Sequence, residues 1–98
     1  MAKPQIGIVV GSNSKHSINR KLAQGLAALV QDKADVEILD MSQLPLYNRD
    51  NDAEGYPAAF TAFKEQVRSK IGILFVTPEY NRSIPAFLKN ALDGASRP

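Results

Sequence analysis

Short apolar runs and helix-like repeats alternate along this chain. Three runs, at residues 6–10, 36–39 and 71–76, are rich in β-branched and aliphatic side chains and have the length of strands. After each run, apolar residues recur at every third or fourth position, which is typical of helices with one buried face. The order β-α-β-α-β-α predicts an α/β fold with a parallel sheet, helices on both faces and right-handed crossovers.

The predicted helices have recognisable starts. Ser17 is a candidate N-cap for the first helix, and Pro57 and Pro85 suit the first turns of the second and third. The predicted inner faces are Ile18, Leu22, Leu26, Leu29 and Val30 in the first helix, Phe60, Phe63 and Val67 in the second, and Phe87, Leu88, Ala91 and Leu92 in the third. Gly25 lies inside the first helix, where it is expected to permit close packing on the sheet.

The third strand raises the question of sheet order. Residues 71–76 are almost wholly apolar, as in a central strand that is covered on both faces. A sheet in the order 2-1-3 would instead leave this strand at an edge, where a long apolar strand invites pairing with another chain. We therefore expect either further strands outside this chain or another cover for that edge.

Composition narrows the class of protein. The chain has 98 residues, 44% hydrophobic and 22% charged, which indicates one folded domain. It has no cysteine, which excludes disulfides and thiolate catalysis, and its net charge of +2 includes no basic run, so no nucleic-acid partner is expected. Without a membrane-length apolar run or a signal-peptide pattern, a cytoplasmic protein with no membrane partner is expected.

Two polar loops follow the first and third strands, at residues 11–19 and 77–85. Because parallel strands end at the same edge of a sheet, where such folds hold their ligands, the two loops are expected to form one site. The first loop presents hydroxyl and amide donors and leads into a helix N-terminus, which favours an anion such as a phosphate. The second loop is stiffened by two prolines and suits a flat heteroaromatic ring.

Each loop also has a simpler interpretation. In the first, Ser12, Ser17 and Asn19 can donate hydrogen bonds to a phosphate, yet Ser17 can equally be no more than a helix cap. In the second, Glu79 and Asn81 are the polar members, yet the segment also reads as an ordinary turn between a strand and a helix. The pairing of the two loops favours ligand binding over these alternatives.

The chain resembles the NADPH-dependent FMN reductases, the flavodoxin-like family that includes bacterial quinone, chromate and azo-dye reductases. The residues that carry the resemblance, in order, are Gly11-Ser12, Lys15, Ser17, Asn19-Arg20-Lys21-Leu22, Leu44-Pro45-Leu46-Tyr47, Thr77-Pro78-Glu79-Tyr80-Asn81, Ser83, Pro85 and Leu88-Lys89-Asn90-Ala91-Leu92-Asp93. The Pro-Glu-Tyr-Asn motif after an apolar strand is the specific part of this pattern, and the Gly-Ser loop alone would be weak.

The resemblance implies a flavodoxin-like sheet in the order 2-1-3-4-5, of which this chain holds three strands. It also implies tightly bound FMN, transfer of hydride from NAD(P)H through flavin N5 to a small-molecule electron acceptor, and a homodimer or homotetramer. The implied cofactor-binding residues are Ser12, Lys15, Ser17, Ile18, Asn19, Pro78, Glu79, Tyr80, Asn81 and Ser83. No catalytic side chain is predicted, because the flavin itself carries the chemistry. No metal site is predicted either, because the cluster of Asp50, Asp52 and Glu54 lacks the ligand spacing of a calcium loop.

The chain departs from the family pattern in three respects. Ser14 stands where relatives commonly carry an Arg that holds the phosphate, although Lys15 can supply the charge, and Gly94 stands where relatives often carry Trp. The chain also stops at Pro98, so residues 1–98 are expected to be the amino-terminal part of a single FMN-binding domain. A flavodoxin-like electron carrier and a non-enzymatic fragment remain alternative functions.

Overall fold

A computed structural model describes residues 3–50, 52 and 55–97, and all structural statements here refer to these residues. Its elements, in chain order, are β1 (Gln5–Val10), α1 (Ile18–Leu29), β2 (Asp35–Leu39), α2 (Ala58–Arg68), β3 (Gly72–Val76) and α3 (Ala86–Ala95). The strands form a parallel sheet in the order β2-β1-β3. The predicted element order and strand order are therefore confirmed.

The central strand supplies both faces of the sheet. Ile8 and Val10 point to one face and Val9 points to the other, as the two-residue period of a strand requires. The cluster under α1 consists of Ile8, Val10, Ala23 and Val76. The cluster under α2 and α3 consists of Val9, Leu39, Met41, Phe63, Leu88 and Ala91. Helices on both faces were predicted and are confirmed.

The predicted inner face of α1 is wrong except for Leu26, which is partly buried and packs against the cluster under this helix. Ala23 is the buried residue of this helix, whereas Ile18 and Leu29 are each 78% exposed and Leu22 is also exposed. Ala23 lies one residue, or about 100° around the helix axis, from Leu22. The apolar arc of α1 is therefore wider than its contact with the sheet. Gly25 is also exposed, and a Cβ added to it would have no atom within 4 Å, so its predicted packing role is wrong.

The third strand is an edge strand with little cover. Val76 is buried, but Leu74 is 44% exposed and Phe75 is 48% exposed. Residues 71–76 therefore form the exposed edge that the order 2-1-3 implies, and the described residues do not cover this strand on both faces as they would cover a central strand. An apolar groove of about 190 Å³ lies beside this strand, between Phe75 and Leu92.

The second and third helices pack on each other through an aromatic residue and a glycine. Phe60 is fully buried, and a Cβ on Gly94 would lie 2.1 Å from its ring, so only glycine leaves room for that ring. Tyr56 donates its hydroxyl hydrogen to the Gly94 carbonyl. Phe60 thus fills the space next to Gly94, one of the positions where the chain departs from the pattern that it resembles.

Two details of these helices differ from expectation. Pro57 and Pro85 occupy the N-cap positions in extended backbone, so each helix begins one residue later than predicted. Leu92 is 38% exposed rather than buried. The longest helix among the described elements, α1, has 12 residues, and no helix in the described part of the chain is long and apolar enough to cross a membrane.

Candidate functional site

The two polar loops begin side by side at the carboxyl edge of the sheet. The Gly11 N–H donates to the Val76 carbonyl at 2.9 Å, which ties the end of β1 to the end of β3. A Cβ at Gly11 would lie 2.1 Å from Thr77 Oγ1 and 2.6 Å from Thr77 Cβ. Glycine is therefore needed at position 11, where the two strand ends lie in contact. The prediction that the two loops start side by side at one edge of the sheet is confirmed.

The first loop is held by its own hydroxyl groups. Ser12 Oγ accepts from the Ser14 N–H at 3.1 Å, and Ser17 Oγ accepts from the Arg20 N–H at 3.2 Å. Ser17 is therefore the N-cap of α1, as predicted. Both hydroxyls are buried and both act as acceptors in these bonds, so each keeps its hydrogen for a second partner.

The second loop contains a tight two-residue turn. Tyr80 and Ser83 exchange both backbone hydrogen bonds, at 2.9 and 3.0 Å. The two central residues, Asn81 and Arg82, have φ values of 53° and 65°. Positive φ at both central positions is the pattern of type I′ turns, and asparagine tolerates it well whereas arginine does not. Asn81 thus has a backbone role that the sequence interpretation did not include.

A cleft of about 420 Å³ opens between the loops, within the size range of small-molecule sites. The first loop contributes Gly11, Ser12 and Asn13, and the second loop with the start of α3 contributes Tyr80, Pro85, Ala86 and Phe87. The other predicted site residues do not line this cleft: Lys15, Ser17, Ile18, Asn19, Pro78, Glu79, Asn81 and Ser83. The structure therefore brings Ser12 and Tyr80 into one cleft, and the other eight predicted residues lie outside its lining.

Leu46 and Asn90 complete the lining of the cleft. Leu46 is 84% exposed, so it belongs to the surface of the cleft and not to the core. Asn90 drew attention only as part of the resemblance. The signal that could have found it is its polarity beside the inner-face positions of α3, where an amide needs a buried partner.

A hydrogen-bonded network of Tyr47, Asp52 and Arg97 begins at the residue that follows Leu46 in the chain. The Tyr47 hydroxyl donates to the Asp52 carboxylate at 3.0 Å, and Arg97 donates to the same carboxylate at 2.8 Å. Partial burial raises the pKa of Asp52, but the hydrogen bonds from Arg97 and Tyr47 outweigh it and leave the pKa lowered. Burial, followed by the bond to Asp52, raises the pKa of Tyr47. The network therefore favours a protonated Tyr47 and an ionised Asp52.

A smaller polar pocket of about 130 Å³ adjoins the first loop, between Arg20 and Asp40. The Ser42 N–H donates to Asp40 Oδ1 at 2.8 Å. This hydrogen bond lowers the pKa of Asp40, and the charge of Arg20 contributes in the same direction. Asp40 therefore stays ionised near neutral pH beside the first loop.

The fold and the cleft define an open α/β protein with a cleft of small-molecule size at the carboxyl edge of its sheet. The lining of this cleft combines polar residues, among them Ser12 and Asn90, with apolar ones such as Leu46 and Phe87. The chain belongs to the NADPH-dependent FMN reductase family, whose model matches residues 4–98.

Similar proteins include a quinone reductase of Pseudomonas putida, 47% identical over 93 residues, covering 95% of this chain and 50% of that protein. A 2-hydroxy-1,4-benzoquinone reductase of Burkholderia sp is 48% identical over 94 residues, covering 96% of this chain and 51% of that protein. The chain therefore spans about half the length of these curated relatives.

A solved structure extends the likeness to three dimensions. The flavoenzyme NAD(P)H:(acceptor) oxidoreductase FerB of Paracoccus denitrificans superimposes with a TM-score of 0.87 at 37% identity. The match covers 97% of this chain and 52% of that one. The flavodoxin-like architecture expected from the sequence is thereby confirmed for the three strands present here.

Proposed function

We propose that residues 1–98 form the amino-terminal part of a single flavodoxin-like FMN-binding domain in an NAD(P)H:acceptor oxidoreductase. The observation that carries this proposal is the cleft between the two loops, which combines polar donors with apolar walls. Family membership and relatives about twice as long support it. The exposed apolar side chains of α1 and β3 also fit a domain that continues beyond these elements.

The first loop fits the phosphate of FMN. Ser12 and Ser17 keep hydroxyl hydrogens that can be donated, and the N–H groups of Ile18 and Asn19 lie in the first helical turn, where they lack intrahelical partners. The positive end of the helix dipole favours an anion at this point. Lys15 supplies the charge in place of the arginine that Ser14 replaces, but as a point charge without a bidentate fork.

The apolar end of the cleft fits the flavin ring. Tyr80 and Leu46 are exposed at its mouth, and Phe87 lies deeper. Pro78, Glu79, Asn81 and Ser83 shape the adjoining turn. FMN, when bound, supplies hydride acceptance and donation at its N5. The protein's own residues bind and orient the ring and limit the access of water, so no side chain is assigned as acid or base.

The acceptor and the assembly are further parts of the proposal. Relatives named as reductases of quinones support a small, flat, quinone-type electron acceptor. NAD(P)H is the proposed hydride source, in line with the name of the matching structure. The family resemblance is the ground for a proposed homodimer or homotetramer in a cytoplasmic setting, without nucleic acid or membrane as partner.

An FMN titration followed by flavin fluorescence tests the proposal. We expect saturable quenching by the chain, and weaker binding by about tenfold or more for Ser12→Ala, because one hydrogen bond to a charged group is lost. Ser69→Ala, an exposed serine at the end of α2, is the matched control. Absence of quenching by the folded chain of confirmed mass would overturn the proposed site, and bound FMN without NAD(P)H oxidation would favour an electron carrier.

A further inference from the structure

One side chain of α3 holds the segment that carries Leu46. Asn90 Oδ1 accepts from the Tyr47 N–H at 2.6 Å, and Asn90 Nδ2 donates to the Pro45 carbonyl at 2.9 Å. A backbone N–H can only donate and a carbonyl can only accept, so a single orientation of the amide satisfies both bonds. Asn90 therefore links α3 to both neighbours of Leu46, across more than 40 positions of sequence.

Tyr47 is fixed at further points. Its ring packs edge-on against Phe60, with ring centroids 6.3 Å apart. Its hydroxyl donates to Asp52, which also binds Arg97. Leu46 is thus the free side chain between two anchored residues, and it is 84% exposed although it lines the cleft.

We propose that Asn90 is a positioning residue that holds Leu46 as an apolar wall of the cleft, against which the flat ring of the bound ligand packs. This inference rests on the proposed function. When a ligand covers an exposed leucine at the mouth of a cleft, the burial of its apolar surface stabilises the complex. A loop that is already ordered by the Asn90 amide does not have to be ordered when the ligand binds, and this preserves affinity.

The geometry favours a route from Asn90 through Leu46. Both ends of the Asn90 amide are engaged, one by Pro45 and the other by Tyr47, which leaves one N–H and one oxygen lone pair for any direct contact with a ligand. Removal of the amide and removal of the leucine should therefore weaken binding by the same route. Their combined effect should be no larger than that of losing Leu46 alone.

The experiment compares Asn90→Ala, Leu46→Ala and the double variant in the full 98-residue chain. Lys89→Ala is the matched control, because it breaks only an exposed ion pair with Asp93 on the same helix. The two readouts are amide hydrogen exchange at Tyr47 without ligand, and the Kd for FMN measured by fluorescence. Thermal unfolding of each variant separates a loss of loop order from a loss of the fold.

We expect Asn90→Ala to speed exchange at Tyr47 by about tenfold or more, because that N–H loses its acceptor, while Lys89→Ala leaves it unchanged. The Kd for FMN should rise by about five- to tenfold in Asn90→Ala and in Leu46→Ala, the loss expected for roughly one hydrogen bond or one partly buried leucine. The double variant should match Leu46→Ala.

Three outcomes would overturn the inference. Unchanged exchange at Tyr47 in Asn90→Ala would show that the amide does not order the loop. If the losses of FMN affinity in the two single variants add in the double variant, Asn90 acts by another route. If neither single variant alters the affinity for FMN, Leu46 does not pack against the bound ligand. Absence of FMN binding to the unsubstituted chain would overturn the proposed function and this inference together. The three outcomes above, by contrast, would overturn this inference and leave the proposed function standing.

Discussion

Gly11→Ala tests one of the tightest glycine positions among the described residues, at the point where β1 ends and the first loop begins beside β3. The added Cβ would lie 2.1 Å from Thr77 Oγ1, 2.6 Å from Thr77 Cβ and 3.2 Å from Leu88 Cδ2. Rotation of the Thr77 side chain can move Oγ1, at the cost of its hydrogen bond to the Pro78 carbonyl, but it cannot move Cβ. The backbone at the end of β3 must therefore shift.

Overpacking of this kind typically costs about 1–3 kcal/mol of folding free energy. Gly25→Ala is the matched control, because it adds the same methyl group where nothing lies within 4 Å. In an exposed helix interior that change should stabilise the protein by about 0.5–1 kcal/mol. The two variants should consequently differ by about 1.5–4 kcal/mol, and Gly11→Ala should also weaken FMN binding because the loops move apart.

Urea unfolding followed by circular dichroism measures both changes, provided that the slopes remain equal. The double variant with Thr77→Gly removes the Cβ that the new methyl group meets, so Gly11→Ala should cost clearly less in that background. Equal stability of Gly11→Ala and Gly25→Ala, or no relief by Thr77→Gly, would refute the argument that the contact with Thr77 requires glycine at this position.

Other parts of the structure lead to three further predictions. Arg82→Gly should stabilise the chain by about 0.5–1 kcal/mol in urea unfolding, because the positive φ of this position strains arginine and not glycine. The greater freedom of glycine in the unfolded chain offsets only part of this gain. A destabilised variant would contradict the prediction. Asp40→Asn should reduce the loss of stability on acidification: the folded pKa of Asp40 is lowered by the Ser42 N–H, so its contribution is present above the ordinary pKa of about 3.9 and is lost as pH falls through the folded value. Identical pH profiles between about pH 5 and pH 2 would refute that role. Leu74→Lys should reduce self-association through the β3 edge in analytical ultracentrifugation, and a chain that is monomeric without the substitution would disprove the edge contact.

Local sequence patterns were sufficient to predict the order of the helices and strands. The apolar runs, the N-cap at Ser17 and the helical repeats depend on neighbours within a few residues, so the element order could be read directly. Parallel pairing then places the ends of β1 and β3 at one edge, which is why the meeting of the two loops was predictable. The role of Asn81 in a tight turn was missed because its signal is a backbone angle rather than a side-chain type.

What the sequence alone determined is the order of elements, the three-stranded sheet and the position of the two polar loops side by side, because these follow from short-range periodicity and chain connectivity. Only the tertiary structure decided which part of the apolar arc of α1 is covered, since that depends on how the helix sits on the sheet through Ala23. It also decided that Asn90 holds the loop around Leu46. That contact joins residues more than 40 positions apart, and no local pattern encodes such a distance.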